Sequence, residues 1–368
     1  MVRHRYVGLL AALFVLSCLT GEGVGAGAPK PASKPATAPA TAQVWKLPSL
    51  TKVGCFAVAD GLYAVIQDTP VAPAKPEWHL LDLKTGTITK LTDVLKGIRD
   101  DLKDDLTSVE FSPDGSNLLA QTGPAEPWWF DLASKQGRSL AATTGTNCFW
   151  LGNKVIQYAP TAVVGATVTP GVVTPGAIPA KAIDPAHFDK IFKCTMPGTV
   201  LRANEKGNAI VCYTTMHLGA RNWKLAFGAF GVPGGKGVPI AVSVTPMPQF
   251  ALSPGGKYLL ATTYDDPSGA GIVELSARTS VISLSGKATF VLAQVGTPVY
   301  VSEGGRAITR TPKGVLLIWD PKGKESQELL KEAAAAGVWH GNLYYITNTD
   351  DKWQLNMMPV PPDPKPKF

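Results

Sequence analysis

Residues 111–121 read FSPDGSNLLAQ, and residues 250–262 read FALSPGGKYLLAT. Each stretch is an aromatic residue, a Ser-Pro turn closed by glycine, and then an apolar run. In the first turn Pro113 fixes φ, Asp114 accepts from the backbone that follows, and Gly115 supplies a positive φ. The apolar runs are too short for helices and are bounded by turn residues, so they read as strands. The same unit recurs as FAVADGLYAVI at 56–66, FWLGNKVIQY at 149–158 and LRANEKGNAIVCY at 201–213. It recurs again as FVLAQVGTPVYVS at 290–302 and VWHGNLYYIT at 338–347. From Phe56 to Val338 is 282 residues over six intervals, a mean of 47. That period is the length of a four-stranded propeller blade, about 40–50 residues.

A second half follows most units. WHLLDLKTGTITKLT at 78–92 is the clearest, with Leu81 and Leu83 alternating against Asp82 and Lys84. Period two of this kind buries one face of a strand. Comparable strand-turn-strand stretches lie at 128–141, 223–240, 271–284 and 315–330, with a single strand at 353–360. In the third unit this half is split by a Pro/Gly/Val-rich insertion, 159–186, after which FDKIFKC at 188–194 resumes the strand pattern. The seventh unit is one strand short, while QVWKLP at 43–48 is a strand without a unit. The expectation is an all-β fold, a seven-bladed β-propeller whose ring is closed by the N-terminal strand on the last blade. Such closure leaves neither chain end with an unpaired sheet edge.

The turns FSPDG at 111–115 and LSPGGK at 252–257 resemble those of TolB-like, WD-like (PD40-type) β-propeller repeats of the bacterial cell envelope. Gly255 departs from that motif, which has Asp there. The resemblance covers two units well and the others in outline. It implies an exported propeller that binds another protein, or one that precedes an α/β-hydrolase domain.

Composition is consistent with a large β-body. Of 368 residues 45% are hydrophobic, 17% are charged, and Gly 37 and Pro 31 make the chain turn-rich. This excludes coiled coils and disorder of the whole chain. Of the formal net charge of +7, +3 lies in residues 1–42 and +1 in 361–368. No basic stripe marks the body, so no nucleic-acid partner is expected.

Residues 1–27 read as an export signal, with Arg3, His4 and Arg5, an apolar run from Val7 to Leu16 too short to span a bilayer, and small residues after it. Two processing routes fit. Val24-Gly25-Ala26 is a signal-peptidase site, and Val15-Leu16-Ser17-Cys18 is similar to a lipobox, which makes Cys18 the candidate lipid-attachment residue. Residues 28–42 form a Pro/Ala-rich linker, 43–360 the propeller and 361–368 a Pro-rich tail. The expected location is periplasmic or secreted, with a membrane link only through a lipid on Cys18. After export, Cys194 and Cys212 are the most local candidate disulfide, and buried thiols are the alternative.

No catalytic motif occurs: no G-x-S-x-G elbow, P-loop, H-E-x-x-H or paired C-x-x-C. No cofactor, metal or catalytic residue is expected. His79, His187, His217 and His340 have no metal-type spacing. The acidic run at 100–105 lacks the glycine of a calcium loop and reads as a solvated turn. Trp78, Trp128, Trp129, Trp223, Trp319 and Trp353 recur near the starts of third strands, which points to packing between blades. The functional expectation is a monomeric, non-catalytic module for protein binding or scaffolding in the envelope, with another envelope or secreted protein as partner. Its function is expected on loops 67–77, 93–106, 159–186 and 263–270. The alternative is a propeller enzyme of lactonase or other hydrolase type, with scattered carboxylates at the channel mouth.

Overall fold

The structure, a computed structural model, describes residues 43–363 except 60, 73, 96–105, 123–125, 141–146, 152–153, 159–170, 174–180, 183–198, 218–222, 232–237, 244–248, 266–275, 286–288 and 322–323. Among the described residues it is nearly all β: one short helix, Leu91–Val94, and seven four-stranded antiparallel sheets. Each sheet is open. Sheet 1 comprises Val53–Ala59, Tyr63–Asp68, Glu77–Asp82 and Ile88–Lys90. Sheet 2 comprises Leu106–Phe111, Asn117–Thr122, Glu126–Asp131 and Gln136–Ser139. Sheet 3 comprises Asn147–Leu151, Lys154–Tyr158, Gly171–Val173 and Lys181–Ala182. Sheet 4 comprises Thr199–Ala203, Ala209–His217, Trp223–Gly231 and Val238–Ser243. Sheet 5 comprises Gln249–Leu252, Tyr258–Asp265, Ser276–Ser283 and Thr289–Val291. Sheet 6 comprises Thr297–Val301, Ala307–Arg310, Leu316–Trp319 and Ser326–Leu330. Sheet 7 joins Ala335–Trp339, Asn342–Thr349 and Lys352–Pro359 to Gln43–Lys46 from the other end of the chain.

The second strands of sheets 1, 2 and 5 explain the continuous apolar runs of the sequence. Such a strand is buried on both faces, so alternation disappears. Val65 packs into the cluster shared with sheet 2, while its neighbours Ala64 and Ile66 pack with Tyr344, Ile346 and Leu355 of sheet 7. Leu118 and Ala120 face sheet 1, and Leu119 faces Trp150 of sheet 3. Leu259 and Ala261 meet Val211 of sheet 4, and Leu260 meets Val301 and Ala307 of sheet 6. Successive residues of one strand thus serve two neighbouring sheets. Each large aliphatic side chain buried this way contributes roughly 1.5–3 kcal/mol.

The indoles follow suit. Trp78, Trp128, Trp129 and Trp319 are buried in clusters between sheets, so the packing expectation holds for them. Trp319 closes its strand rather than opening it. Its Nε1 donates to Thr309 Oγ1 at 2.8 Å, which satisfies the buried N–H. The side chain of Trp223 lies outside the described residues.

Three expectations about strands need correction. The third and fourth strands of sheet 3, Gly171–Val173 and Lys181–Ala182, lie inside the stretch expected to be an insertion, and the FDKIFKC segment lies outside the described residues. Val172 and Val173 are β-branched and suit the third strand, and the prolines nearby fall outside both strands. In sheet 5, Ser276–Ser283 is one continuous strand paired along its length with Tyr258–Asp265, where the sequence was read as a strand, turn and strand over 271–284. Its polar residues are paired: Thr262 donates to Gly296 O at 2.6 Å, Thr279 donates to Thr262 at 2.8 Å, and Thr279 Oγ1 accepts from Gly296 N at 3.0 Å. Finally, Phe290 belongs to the last strand of sheet 5, so the segment 290–302 crosses from one sheet to the next. The first hairpin of sheet 6 is Thr297–Val301 with Ala307–Arg310.

Gln43–Lys46 pairs antiparallel with Lys352–Pro359, Trp45 opposite Leu355. Trp45 also reaches sheet 1, where its Nε1 donates to Leu83 O at 3.0 Å. Its ring stacks with that of Tyr344 at 6.3 Å between centroids.

Candidate functional site

The first strand of several sheets ends in the same turn. Ser112, Asn204, Ser253 and Ser302 each accept, through the backbone carbonyl, from a glycine three residues on: Gly115 at 2.8 Å, Gly207 at 2.9 Å, Gly256 at 2.9 Å and Gly305 at 3.1 Å. All four glycines have positive φ, which residues with a Cβ rarely adopt. The opening side chain then accepts from the start of the second strand: Ser112 Oγ from Asn117 N at 3.0 Å and Asn204 Oδ1 from Ala209 N at 2.8 Å. Ser253 Oγ accepts from Tyr258 N at 3.0 Å and Ser302 Oγ from Arg306 N at 3.0 Å. These four residues are buried without cost because they are hydrogen-bonded.

The turns are linked to one another. Asn204 Nδ2 donates to Pro254 O at 2.7 Å, and Asn208 Nδ2 donates to Gly255 O at 3.1 Å. Gly255 N donates to Glu303 Oε1. The chain end joins this belt: Asp363 accepts from Ser302 Oγ at 2.7 Å and from Gly304 N at 3.1 Å, and Arg306 Nη1 donates to Pro362 O. The tail was expected only as a Pro-rich extension. Its first residues, 361–363, are instead pinned to the turn of sheet 6.

Beside these turns lies a cavity of about 110 Å³, open to solvent, lined by residues of six of the seven sheets. Sheet 2 contributes Glu110 and Phe111, sheet 3 Trp150, sheet 4 Glu205, sheet 5 Pro254, sheet 6 Tyr300 and sheet 7 Trp339. Phe111 and Trp150 are buried, and Trp150 Nε1 donates to Glu110 O at 3.4 Å, which ties sheet 3 to sheet 2. Glu110, Glu205, Tyr300 and Trp339 are half-buried. Burial pushes the Tyr300 phenol up to about 12, and the carboxylates of Asp363, Glu303 and Glu205 add to the rise. The cavity therefore has aromatic walls, and carboxylates lie close to Tyr300 at its edge. Glu303 Oε2 is buried without a hydrogen-bond partner among the described residues.

None of the lining residues was expected from the sequence to form a site, although Phe111, Pro113, Pro254 and Val338 were read as parts of the repeat. They are far apart in the chain, but a signal exists. Aligned on Ser112, Asn204, Ser253 and Ser302, the lining positions are two before the turn (Glu110, Ala251, Tyr300) and one after its start (Pro113, Glu205, Pro254). The residues that were singled out lie elsewhere. Cys18 and Cys194 are outside the described residues, as is the side chain of Cys212. Cys55 is half-buried and packs against the core between sheets 1 and 2. His79 is half-buried in sheet 1, where desolvation holds its imidazole below the usual range. His340 has a φ of 46° beside Trp339, and the side chains of His187 and His217 are outside the described residues. Among the described residues no three His, Cys, Asp or Glu side chains cluster as metal ligands. The acidic run 100–105 lies outside the described residues, as do most of loops 93–106, 159–186 and 263–270.

No protein-family model matches the sequence, and no curated protein matches it. Solved structures do. A chain of the mitotic checkpoint complex aligns with a TM-score of 0.53 at 12% identity, over 93% of this chain and 98% of that one. The β-propeller domain of the Trilobed protease from Pyrococcus furiosus, described as having an open velcro topology, aligns at 0.50 with 13% identity, over 83% and 95%. TolB from Acinetobacter baumannii is similar at a TM-score of 0.41 and 13% identity, over 82% of this chain and 65% of that one. The fold is a β-propeller. At these identities the likeness speaks for the fold alone.

Proposed function

We propose that the seven sheets are the blades of one closed ring, and that the ring is an exported, non-catalytic module that binds another protein at the mouth of its central channel. Supporting closure, Gln43–Lys46 completes sheet 7, and sheet 7 packs on sheet 1 through Tyr344, Ile346 and Leu355. The observation that carries the binding reading is the convergence of six sheets on one open cavity with aromatic walls. Aromatic side chains on rigid elements are efficient anchors because they bury area at little entropic cost. The leader pattern of residues 1–27 supports export, with Cys18 deciding between a lipid tether and soluble release.

The test is capture from an envelope fraction with the intact protein and with its Trp339→Ala variant. The reading expects a partner retained by the first and lost by the second. A partner retained equally by both would place the interface elsewhere. One observation favours the enzymatic alternative: two carboxylates, Glu110 and Glu205, line the same cavity and are of the type that performs general acid–base work. Turnover of a lactone or ester panel, lost in Glu205→Gln, would replace the binding reading by a hydrolase.

A further inference from the structure

We propose that the turn of sheet 6 is a binding site for an aspartate carboxylate, and that Asp363 of the chain's own tail is its ligand, taking the place of the aspartate that this turn lacks. The turn of sheet 2 shows the complete form. Ser112 Oγ donates to Asp114 Oδ1 at 2.6 Å, and the same oxygen accepts from Ser116 N at 3.0 Å. Aligned on their opening serines and on Gly115 and Gly305, the turn of sheet 6 has Gly304 where that of sheet 2 has Asp114. Its serine nevertheless meets a carboxylate. Ser302 Oγ donates to Asp363 Oδ1 at 2.7 Å, and Gly304 N donates to Asp363 Oδ2 at 3.1 Å. Such charge-assisted bonds are stronger than neutral ones. A Cβ built on Gly304 would lie 2.5 Å from Asp363 Oδ2 and 2.9 Å from its Cγ, and the three nearest atoms all belong to Asp363. The φ of Gly304 is not positive, so its backbone suits any residue. The tail carboxylate fills the space where a side chain at 304 would begin.

The rest of the segment is held as well. Arg306 Nη1 donates to the carbonyls of Pro361 and Pro362, so the guanidinium grips the two residues that precede Asp363. Prolines leave the free segment few conformations, which lowers the entropy lost when it docks. The turn of sheet 5 repeats the substitution. There Gly255 stands at the position of Asp114, Gly255 N donates to Glu303 Oε1, and a Cβ on Gly255 would lie 2.8 Å from the Glu303 carboxyl group. Both of these glycine-bearing turns thus take a carboxylate from an element later in the chain, sheet 5 from the turn of sheet 6 and sheet 6 from the tail. Residues 361–363 therefore form a strap that runs from the last strand of sheet 7 to the turn of sheet 6. Asp363 also bears on Tyr300, a cavity-lining residue, which puts the strap at the cavity's edge.

The experiment moves the carboxylate from the tail to the turn, in the full chain. Asp363→Ala should lower the melting temperature by roughly 2 °C or more and leave the chain end open to carboxypeptidase, read by mass spectrometry. Gly304→Asp alone should free the tail to the same extent, because the new side chain claims the place of Asp363. Gly304→Asp added to Asp363→Ala should recover most of the lost melting temperature, since the carboxylate returns to Ser302 from within the turn. Gly304→Ala added to Asp363→Ala should not. The alanine control removes the gain that any Cβ at a compatible glycine gives by restricting the unfolded chain. The proposal is overturned if Gly304→Asp fails to rescue Asp363→Ala, if Gly304→Ala rescues it equally, or if Gly304→Asp leaves the tail as protected as in the wild type. Should the Gly304→Asp variants not fold, Ser302→Ala and Asp363→Ala carry the test. Their losses should be less than additive, because the two groups share one hydrogen bond, and additive losses overturn the proposal.

Discussion

Two glycines in equivalent turns separate backbone strain from packing between sheets. Gly61 has a φ of 66°, and a Cβ built on it meets nothing within 4 Å. Gly115 has a φ of 73°, but its Cβ would lie 2.7 Å from Ala59 Cβ and 3.0 Å from Leu62 Cδ1, both in sheet 1. Alanine at either position carries the left-handed penalty, about 1–2 kcal/mol. Only Gly115→Ala adds the crowding of a packed interface, about 1–3 kcal/mol more. Gly61→Ala should therefore cost about 1–2 kcal/mol and Gly115→Ala about 2–5 kcal/mol. The assay is urea unfolding of both variants, with midpoints compared at a common slope. A further arm adds Ala59→Gly to Gly115→Ala. Removing the opposing methyl should restore part of the loss, because the two positions touch. Equal losses at Gly61 and Gly115 would refute the close approach of sheets 1 and 2 at this turn.

Other outcomes follow from the same contacts. Asp363→Ala removes the acceptor of Ser302 Oγ and Gly304 N, so it should cost about 1–3 kcal/mol and expose the chain end to carboxypeptidase, read by mass spectrometry. A melting point and digestion rate like those of the wild type would contradict the pinned tail. The raised Tyr300 pKa makes the folded state hold its proton more tightly than the unfolded chain does. The resulting stability is fully present below pH about 10, the ordinary phenol value, and is lost as pH rises through about 12. Tyr300→Phe should lose less stability over that window than the wild type, measured by melting at stepped pH; parallel curves would refute the assignment. His79, held low by burial, has the opposite sign: its contribution is present above its ordinary pKa and is lost on acidification. His79→Gln should flatten the acid limb of the stability curve, and an unchanged limb would assign that loss to other groups.

Much of the fold was legible because a propeller repeats one solution. The apolar second strands announce themselves, since each must serve two neighbouring sheets and so is hydrophobic without alternation, as at Leu118–Ala120. The turn glycines are legible for the same reason: Gly115 and Gly256 fill a backbone requirement that the sequence states directly. The slips came where polar residues lie inside strands. Thr279 and Ser280 are buried in sheet 5, and the Thr279 hydroxyl is hydrogen-bonded to Gly296, so a polar stretch that composition reads as a turn is strand. Phe290 was assigned to the wrong hairpin because the connection between sheets 5 and 6, with Gly296 in it, has the composition of a hairpin loop. The candidate site was illegible for a different reason. Glu110, Glu205 and Tyr300 meet only because their sheets converge, so their proximity is a property of the tertiary arrangement and not of any local pattern.

Gln43–Lys46 and the three strands from Ala335 to Pro359 complete one sheet, and the central proposal is that this closes the ring. Gln43–Lys46 supplies the outer strand of sheet 7, and Trp45 carries it across to Leu83 of sheet 1. The direct test compares thermal unfolding of a chain lacking residues 43–48 with that of a chain lacking residues 28–42. The account predicts a large fall in melting temperature for the first, because a sheet edge is bared and the Trp45 contacts vanish, and almost none for the second. Equal melting temperatures for the two deletions would contradict it.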